Sequence, residues 1–288
     1  MRDGVTIAST VFEGTEPAVV LLHGLAGSSR EFIDTARALA GRRVILIDQR
    51  GHGESTTHPT DTSREAHVDD VVSIIGELAS EPVTLAGQSM GAHTAMLVTA
   101  ARPDLVRQLV LLEGNQGGGS ADEHRAVGDF FRSWPVPFPD RARAAAVLGD
   151  GPLERAWIRD LVEREDGLHP RFDADVMQRT IEAVGEERWA DWERIAVPTL
   201  VLYADGGMFS EEQKVEFVRR GRCATRVDLV DASHDAHLDA FTQWLSLLRG
   251  VVGTPAGDEV DPSRTGLSRR GTGADGRTSA LPSRWSRT

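Results

Sequence analysis

Cysteine is almost missing from this 288-residue chain, with Cys223 the only one. A single thiol cannot form an intrachain disulfide, and no metal cluster can be assembled on thiolates. Lysine is just as scarce: Lys214 stands alone among 32 basic residues, an arginine bias of the kind a GC-rich genome imposes. No apolar run approaches the ~18 residues that a membrane-spanning helix needs. Met1 to Thr10 alternates in the manner of a strand and does not form the apolar stretch of a secretory signal. A cytoplasmic protein without membrane attachment is expected. The net charge of −12 disfavours contact with nucleic acid or with an anionic lipid surface. Internal repeats are absent too.

What is present fits one large α/β core. At 40% hydrophobic and 26% charged residues, a chain of this length buries roughly 75% of its unfolded surface without being forced into two domains. From Val5 to Gly114, apolar strand-like runs alternate with helical segments such as Ser63 to Leu78, where Val68, Val71, Val72, Ile75 and Leu78 recur at helical spacing. That alternation predicts a mostly parallel sheet. Gly117-Gly118-Gly119-Ser120 then opens a region, to about Ile195, with no convincing strand. Its apolar residues recur at helical spacing, and four of the six tryptophans, Trp134, Trp157, Trp189 and Trp192, fall there. The reading is a core over 1–115 and 196–249, a helical cap inserted over 116–195, and a tail over 250–288. The tail, rich in Gly, Ser, Thr, Pro and Arg, is expected to be disordered.

Gly87-Gln88-Ser89-Met90-Gly91 carries the chemistry. Val83-Thr84-Leu85-Ala86 before it reads as a buried strand, and Ala92 to Ala101 after it as a helix. A serine on such a strand-to-helix elbow needs flanking glycines, because Cβ atoms there collide with neighbouring chain. Its hydroxyl then sits at a helix N-terminus, where unpaired N–H groups favour developing negative charge. Met90 N–H becomes one oxyanion donor. Upstream, Val19 to Leu22 runs into His23-Gly24-Leu25, and Val44 to Ile47 into Asp48-Gln49-Arg50-Gly51-His52-Gly53-Glu54-Ser55.

With these three segments in this order, the chain resembles the α/β-hydrolase superfamily from about Val5 to Arg249. The resemblance implies an eight-stranded, mostly parallel sheet flanked by helices, with Leu25 N–H as the second oxyanion donor, Gly24 in the substrate site and the Asp48 to Ser55 loop as support for the elbow. It also places the general base after the last strand, where Ala232-Ser233-His234 follows Arg226 to Val230. His237 reads as a surface or core contact of the closing helix, His93 as a packing residue, and His23 and His52 as turn residues. Two carboxylates compete to orient His234. Asp205 ends the strand Pro198 to Ala204, but the superfamily's common Gly-x-x-Asp spacing would put an acid at Gly207. Glu113 ends the strand Leu109 to Leu112, where some relatives carry the acid, and is slightly preferred.

The function expected is that of a serine hydrolase acting through an acyl-enzyme on a small, largely apolar ester or related carbonyl compound, without cofactor or metal. Trp134 and Phe138, in the stiff Trp134 to Pro139 segment, are candidate pocket walls. An aspartate-nucleophile dehalogenase or epoxide hydrolase is disfavoured by the serine. Carbon–carbon bond hydrolysis, cofactor-free perhydrolysis and a non-catalytic ligand receptor remain alternatives. Oligomeric state is not legible.

Overall fold

Four runs, Ala18–Leu22, Val44–Ile47, Leu85–Ala86 and Leu109–Leu112, are buried on both faces, as continuous apolar strands of a parallel sheet must be. The computed structural model describes residues 4–253, and these runs form the centre of its sheet. Its strands are β1 (Ser9–Phe12), β2 (Thr15–Leu22), β3 (Arg42–Ile47), β4 (Val83–Gln88), β5 (Val106–Leu112), β8 (Thr199–Gly206) and β9 (Ala224–Ser233), with a separate hairpin of β6 (Val162–Arg164) and β7 (Gly167–His169). The spatial order is β1-β3-β2-β4-β5-β8-β9. Only β1 runs antiparallel to its neighbour. Among the described residues the sheet has seven strands, one fewer than the resemblance implied.

Alternation along the strands divides the core. Val20, Leu22, Ile45, Ile47, Leu85, Leu109, Leu111 and Val201 face one helical layer, made by α2 (Arg64–Leu78), α3 (Met90–Ala101), α8 (Trp189–Arg194) and α9 (Glu211–Arg220). Val19, Leu21, Val44, Leu46, Ala86, Val110 and Leu112 face the other, where α1 (Ile33–Ala38), α10 (Ala236–Asp239) and α11 (Phe241–Val252) lie. The Ser63 hydroxyl accepts the Ala66 amide at 3.2 Å and so caps α2. The last helix continues past Arg249 to Val252, whose carbonyl accepts Arg42 Nη2 at 2.9 Å. The core therefore extends beyond the expected boundary at 249; of the expected tail, residues 254–288 lie outside the described part.

Besides α8, the segment between β5 and β8, the expected cap, is built from α4 (Ala121–Arg132), α5 (Arg141–Leu148), α6 (Pro152–Asp160) and α7 (Ala174–Val184), together with the β6–β7 hairpin. The hairpin corrects the purely helical reading of 116–195. Three-residue strands are too short to leave a period in the sequence, and this pair is completed by Phe138, which exchanges hydrogen bonds with Leu168 at 2.9 and 2.8 Å. The cap's apolar centre joins Phe131, Trp134, Phe138, Trp157, Leu168 and Met177 to Ala26 of the loop after β2. Its two chain crossings are tied together where Gly118 N donates to Val184 O at 3.1 Å and Arg188 N to Gln116 O at 2.8 Å.

Candidate active site

Backbone strain marks one end of the sheet. The four described non-glycine residues with positive φ are Ala26 (59°), Ser89 (53°), Glu113 (49°) and Asp231 (51°), and all four lie in segments at the carboxyl ends of β2, β4, β5 and β9. Each such conformation costs on the order of 1–3 kcal/mol and survives only where its surroundings enforce it. Around Ser89 the enforcement is steric. A Cβ on Gly87 would stand 2.2 Å from Gly91 O, and one on Gly91 2.3 Å from Leu22 O. Ser89 is thereby held at φ 53°, ψ −120° as the N-cap of α3, with its own amide given to Leu112 O at 2.9 Å.

The loop after β2 comes against the serine. A Cβ on Gly24 would lie 3.4 Å from Ser89 Cβ, in contact, and 2.2 Å from Gln88 Oε1, so a side chain there would have to displace the Gln88 amide. Among the described residues, neither the Leu25 nor the Met90 amide is given to a backbone carbonyl. The loop expected to support the elbow is densely hydrogen-bonded. Asp48 accepts Ser29 N at 2.6 Å and Glu54 N at 2.9 Å, Ser55 Oγ donates to Asp48 O at 2.6 Å, and Arg50 forks onto buried Asp70 at 2.7 and 2.9 Å.

His234 and Glu113 meet. The imidazole Nδ1 lies 3.1 Å from Glu113 Oε2. Glu113 is fully buried and also accepts Ala204 N at 2.8 Å and Met208 N at 2.9 Å. A carboxylate surrounded by donors fixes Nδ1 as the protonated nitrogen and leaves Nε2 as the acceptor. Gly207 makes room for it: a Cβ there would sit 2.3 Å from Glu113 Oε1. The position at which the common spacing would put an acid is thus the one that admits the carboxylate arriving from β5. Asp205 is engaged elsewhere, accepting Asp231 N and Ala232 N, both at 3.0 Å. Those bonds hold its carboxyl below the usual carboxylate range, the Ala232 amide first, and brace the strained Asp231 shortly before His234.

Burial pushes the His234 imidazole down, but the Glu113 hydrogen bond and the charges of Asp235 and Glu113 outweigh it, and the net shift is upward. Gln88, one of the two non-motif residues within Gly87 to Gly91, was not singled out from the sequence. Its Nε2 donates to His234 O at 3.0 Å and to Asp235 Oδ1 at 3.3 Å, fastening the loop that bears the histidine to the residue before Ser89. A polar side chain ending an otherwise apolar strand was the available signal. His237 is turned away, 3.1 Å from Glu31 and stacked on Phe32. His23 bridges Gly24 O at 2.7 Å and Gln49 N at 3.0 Å, as a turn residue. Trp134 and Phe138 belong to the cap's own core; Phe138 is completely enclosed there. A groove of about 230 Å³ opens on the seam between core and cap, lined by Ser28, Arg30 and Glu31 on one side and Ala156, Arg159 and Asp160 on the other.

Similarity to known proteins identifies the fold. Residues 17–241 match the family model described as alpha/beta hydrolase fold. The sn-1-specific diacylglycerol lipase ABHD11 of Xenopus tropicalis is 38% identical over 264 residues, covering 86% of this chain and 82% of the relative. The 2-(acetamidomethylene)succinate hydrolase of Mesorhizobium japonicum is 33% identical over 208 residues, covering 66% and 71%. Among solved structures, E-2-(acetamidomethylene)succinate hydrolase superposes with a TM-score of 0.79 at 21% identity, covering 86% of this chain and 95% of the other. A marine microorganism esterase gives 0.73 at 24%, covering 85% and 98%; at these identities the two structures speak for the fold. Among the described residues no helix is long and apolar enough to cross a membrane. With its sheet order, its glycine-enforced elbow and a family match spanning most of its length, the chain is a hydrolase belonging to the α/β-hydrolase family.

Proposed function

We propose that the protein is a serine hydrolase that cleaves small, largely apolar esters through an acyl-enzyme. The observation that carries the reading is the Glu113–His234 pair, fastened through Gln88 to the residue preceding Ser89. In this mechanism His234 Nε2 takes the Ser89 proton as the hydroxyl oxygen attacks the ester carbonyl. The resulting imidazolium is stabilised by Glu113, and the tetrahedral oxyanion by the Leu25 and Met90 amides. His234 then protonates the departing alcohol and activates the water that releases the acid. Each oxyanion donor contributes on the order of 2.7–4 kcal/mol to lowering the barrier. Trp134, in the cap centre that includes Ala26 of the same loop, is the proposed apolar wall.

A fluorophosphonate probe tests the assignment directly. Wild-type protein is expected to be labelled stoichiometrically and Ser89→Ala not at all; folded wild type that resists labelling would favour a non-catalytic receptor.

The pH profile is a second test. His234 must be neutral to accept the proton, so kcat/KM is expected to fall on the acid side at a pH above the ordinary histidine value of 6.5, because its pKa is raised. Stability moves the other way. A pKa raised in the folded state contributes stability that is complete below the unfolded value and is lost as pH rises through the folded one. An acid limb below 6.5 would contradict the pairing as the dominant influence on His234.

A further inference from the structure

Away from the elbow, a cation is buried without a direct ion pair among the described residues. Arg64, the first residue of α2, is only 2% exposed. Its Nη2 donates to Thr94 Oγ1 on α3, while Nε and Nη1 find no partner. The acids nearest it are bonded to other cations, although the charge of Glu65 still acts on it. Both Asp70 oxygens receive Arg50, and Glu65, on the outside of the helix, pairs with Arg188 at 2.9 Å. Beside Arg64 stand His67, with neither ring nitrogen bonded, and His93 of α3, both buried. Burial first, and then the Arg64 charge, hold both imidazoles well below the ordinary histidine range. They are therefore neutral; His67 retains one N–H to give, while His93 also lies against the Gln116 backbone. His52 also borders the group; its Nδ1–H goes to Arg50 O at 2.9 Å and it is likewise held neutral. Burial lowers the Arg64 guanidinium to about 9, which leaves it charged at neutral pH.

Leaving a guanidinium in the interior with two unpaired nitrogens and no carboxylate costs several kcal/mol. Ordered water relieves the hydrogen-bond deficit but not the charge. A single negative charge relieves both, and the surrounding donors are then paired as well.

We propose that the buried cluster of Arg64, His67 and His93, beneath the two chain crossings that join cap to core, binds one small monoanion of the size of bromide or formate. The site is separate from the ester-cleaving machinery. It touches the cap's stem: a Cβ placed on Gly117 would meet His93 Nε2 at 3.1 Å and Val184 O at 2.4 Å. Occupation therefore links α2, α3 and the stem, and the ion acts as a structural clamp on the base of the cap.

Crystals of the full chain soaked in bromide give the decisive reading, which does not depend on catalysis. An anomalous peak is expected within hydrogen-bond distance of Arg64 Nε or Nη1. Absence of a peak there overturns the proposal, as does one that persists unchanged in Arg64→Met. Melting supplies a second reading. At matched ionic strength, saturating formate is expected to raise the wild-type Tm by about 5–10 °C over gluconate, which is too large to enter. Arg64→Met, which removes the uncompensated charge, is expected to melt at or above wild type in gluconate and to be indifferent to formate. Equal responses of the two proteins refute the site. Should Arg64→Met not fold, His67→Phe, which removes a donor but keeps the cation, is expected to reduce the formate response by at least half, and an undiminished response counts against the proposal.

Discussion

Ser89→Ala is expected to lower kcat by about 10⁶, the scale of loss when the nucleophile of a cooperating serine–histidine–acid unit is removed. The loss should appear with an intact fold. Alanine keeps the Cβ that Gly87 and Gly91 already accommodate, and Ser89 makes no side-chain hydrogen bond that caps α3. Initial rates on an activated short-chain ester, compared at equal far-UV circular dichroism, measure the effect; activity retained within tenfold would remove Ser89 from the chemistry. Ser89→Gly separates strain from catalysis. It should be as inactive as alanine, yet more stable than Ser89→Ala by about 1 kcal/mol, because glycine tolerates φ near 53° and the relief exceeds its added unfolded-state entropy.

Such strain was legible in the sequence because its cause is local. Glycine before and after a serine, between an apolar run and a helical stretch, states which backbone must pass close to which. The sheet was legible for a similar reason: Val19-Val20-Leu21-Leu22 and Val44-Ile45-Leu46-Ile47 have no polar face, so both faces must be covered. Partnership across the sheet was another matter. Whether Glu113 or Asp205 reaches His234 depends on a register shift between β8 and β9 near Gly206 and on the space at Gly207, neither of which has a periodic signature. The Gly206-Gly207 pair was visible, but a turn and a carboxylate berth require the same residues. The β6–β7 hairpin was missed because Val162-Glu163-Arg164 is too short and too polar to read as a strand. Arg64 and His67 sat unnoticed on a helix identified from its valines, since a charged residue in a helix's first turn ordinarily faces water.

Glu113→Gln and Asp205→Asn should therefore diverge, although each exchanges one carboxylate for its amide. In Glu113→Gln one side-chain oxygen can still accept Ala204 N. The new NH₂ then faces two donors, the Met208 amide and the His234 Nδ1–H, in place of the oxygen that accepted both. The imidazole escapes by moving its proton to Nε2, the nitrogen that must accept from Ser89, and kcat is expected to fall by about 10⁴. In Asp205→Asn one of two amide bonds near Asp231 is lost at an exposed site, a cost of about 1 kcal/mol in stability, with kcat expected to stay within about tenfold. Gly207→Ala provides the control that removes no acid. Its methyl group would stand 2.3–2.5 Å from the Glu113 carboxyl group and must displace it. It should depress kcat like Glu113→Gln and, by weakening the same hydrogen bond, move the acid limb of kcat/KM downward. Small and equal losses in Glu113→Gln and Asp205→Asn would show that neither carboxylate orients the base. A large loss confined to Asp205→Asn would instead place the decisive interaction in the brace of the β9 end, with His234 held by its loop and not by the buried carboxylate.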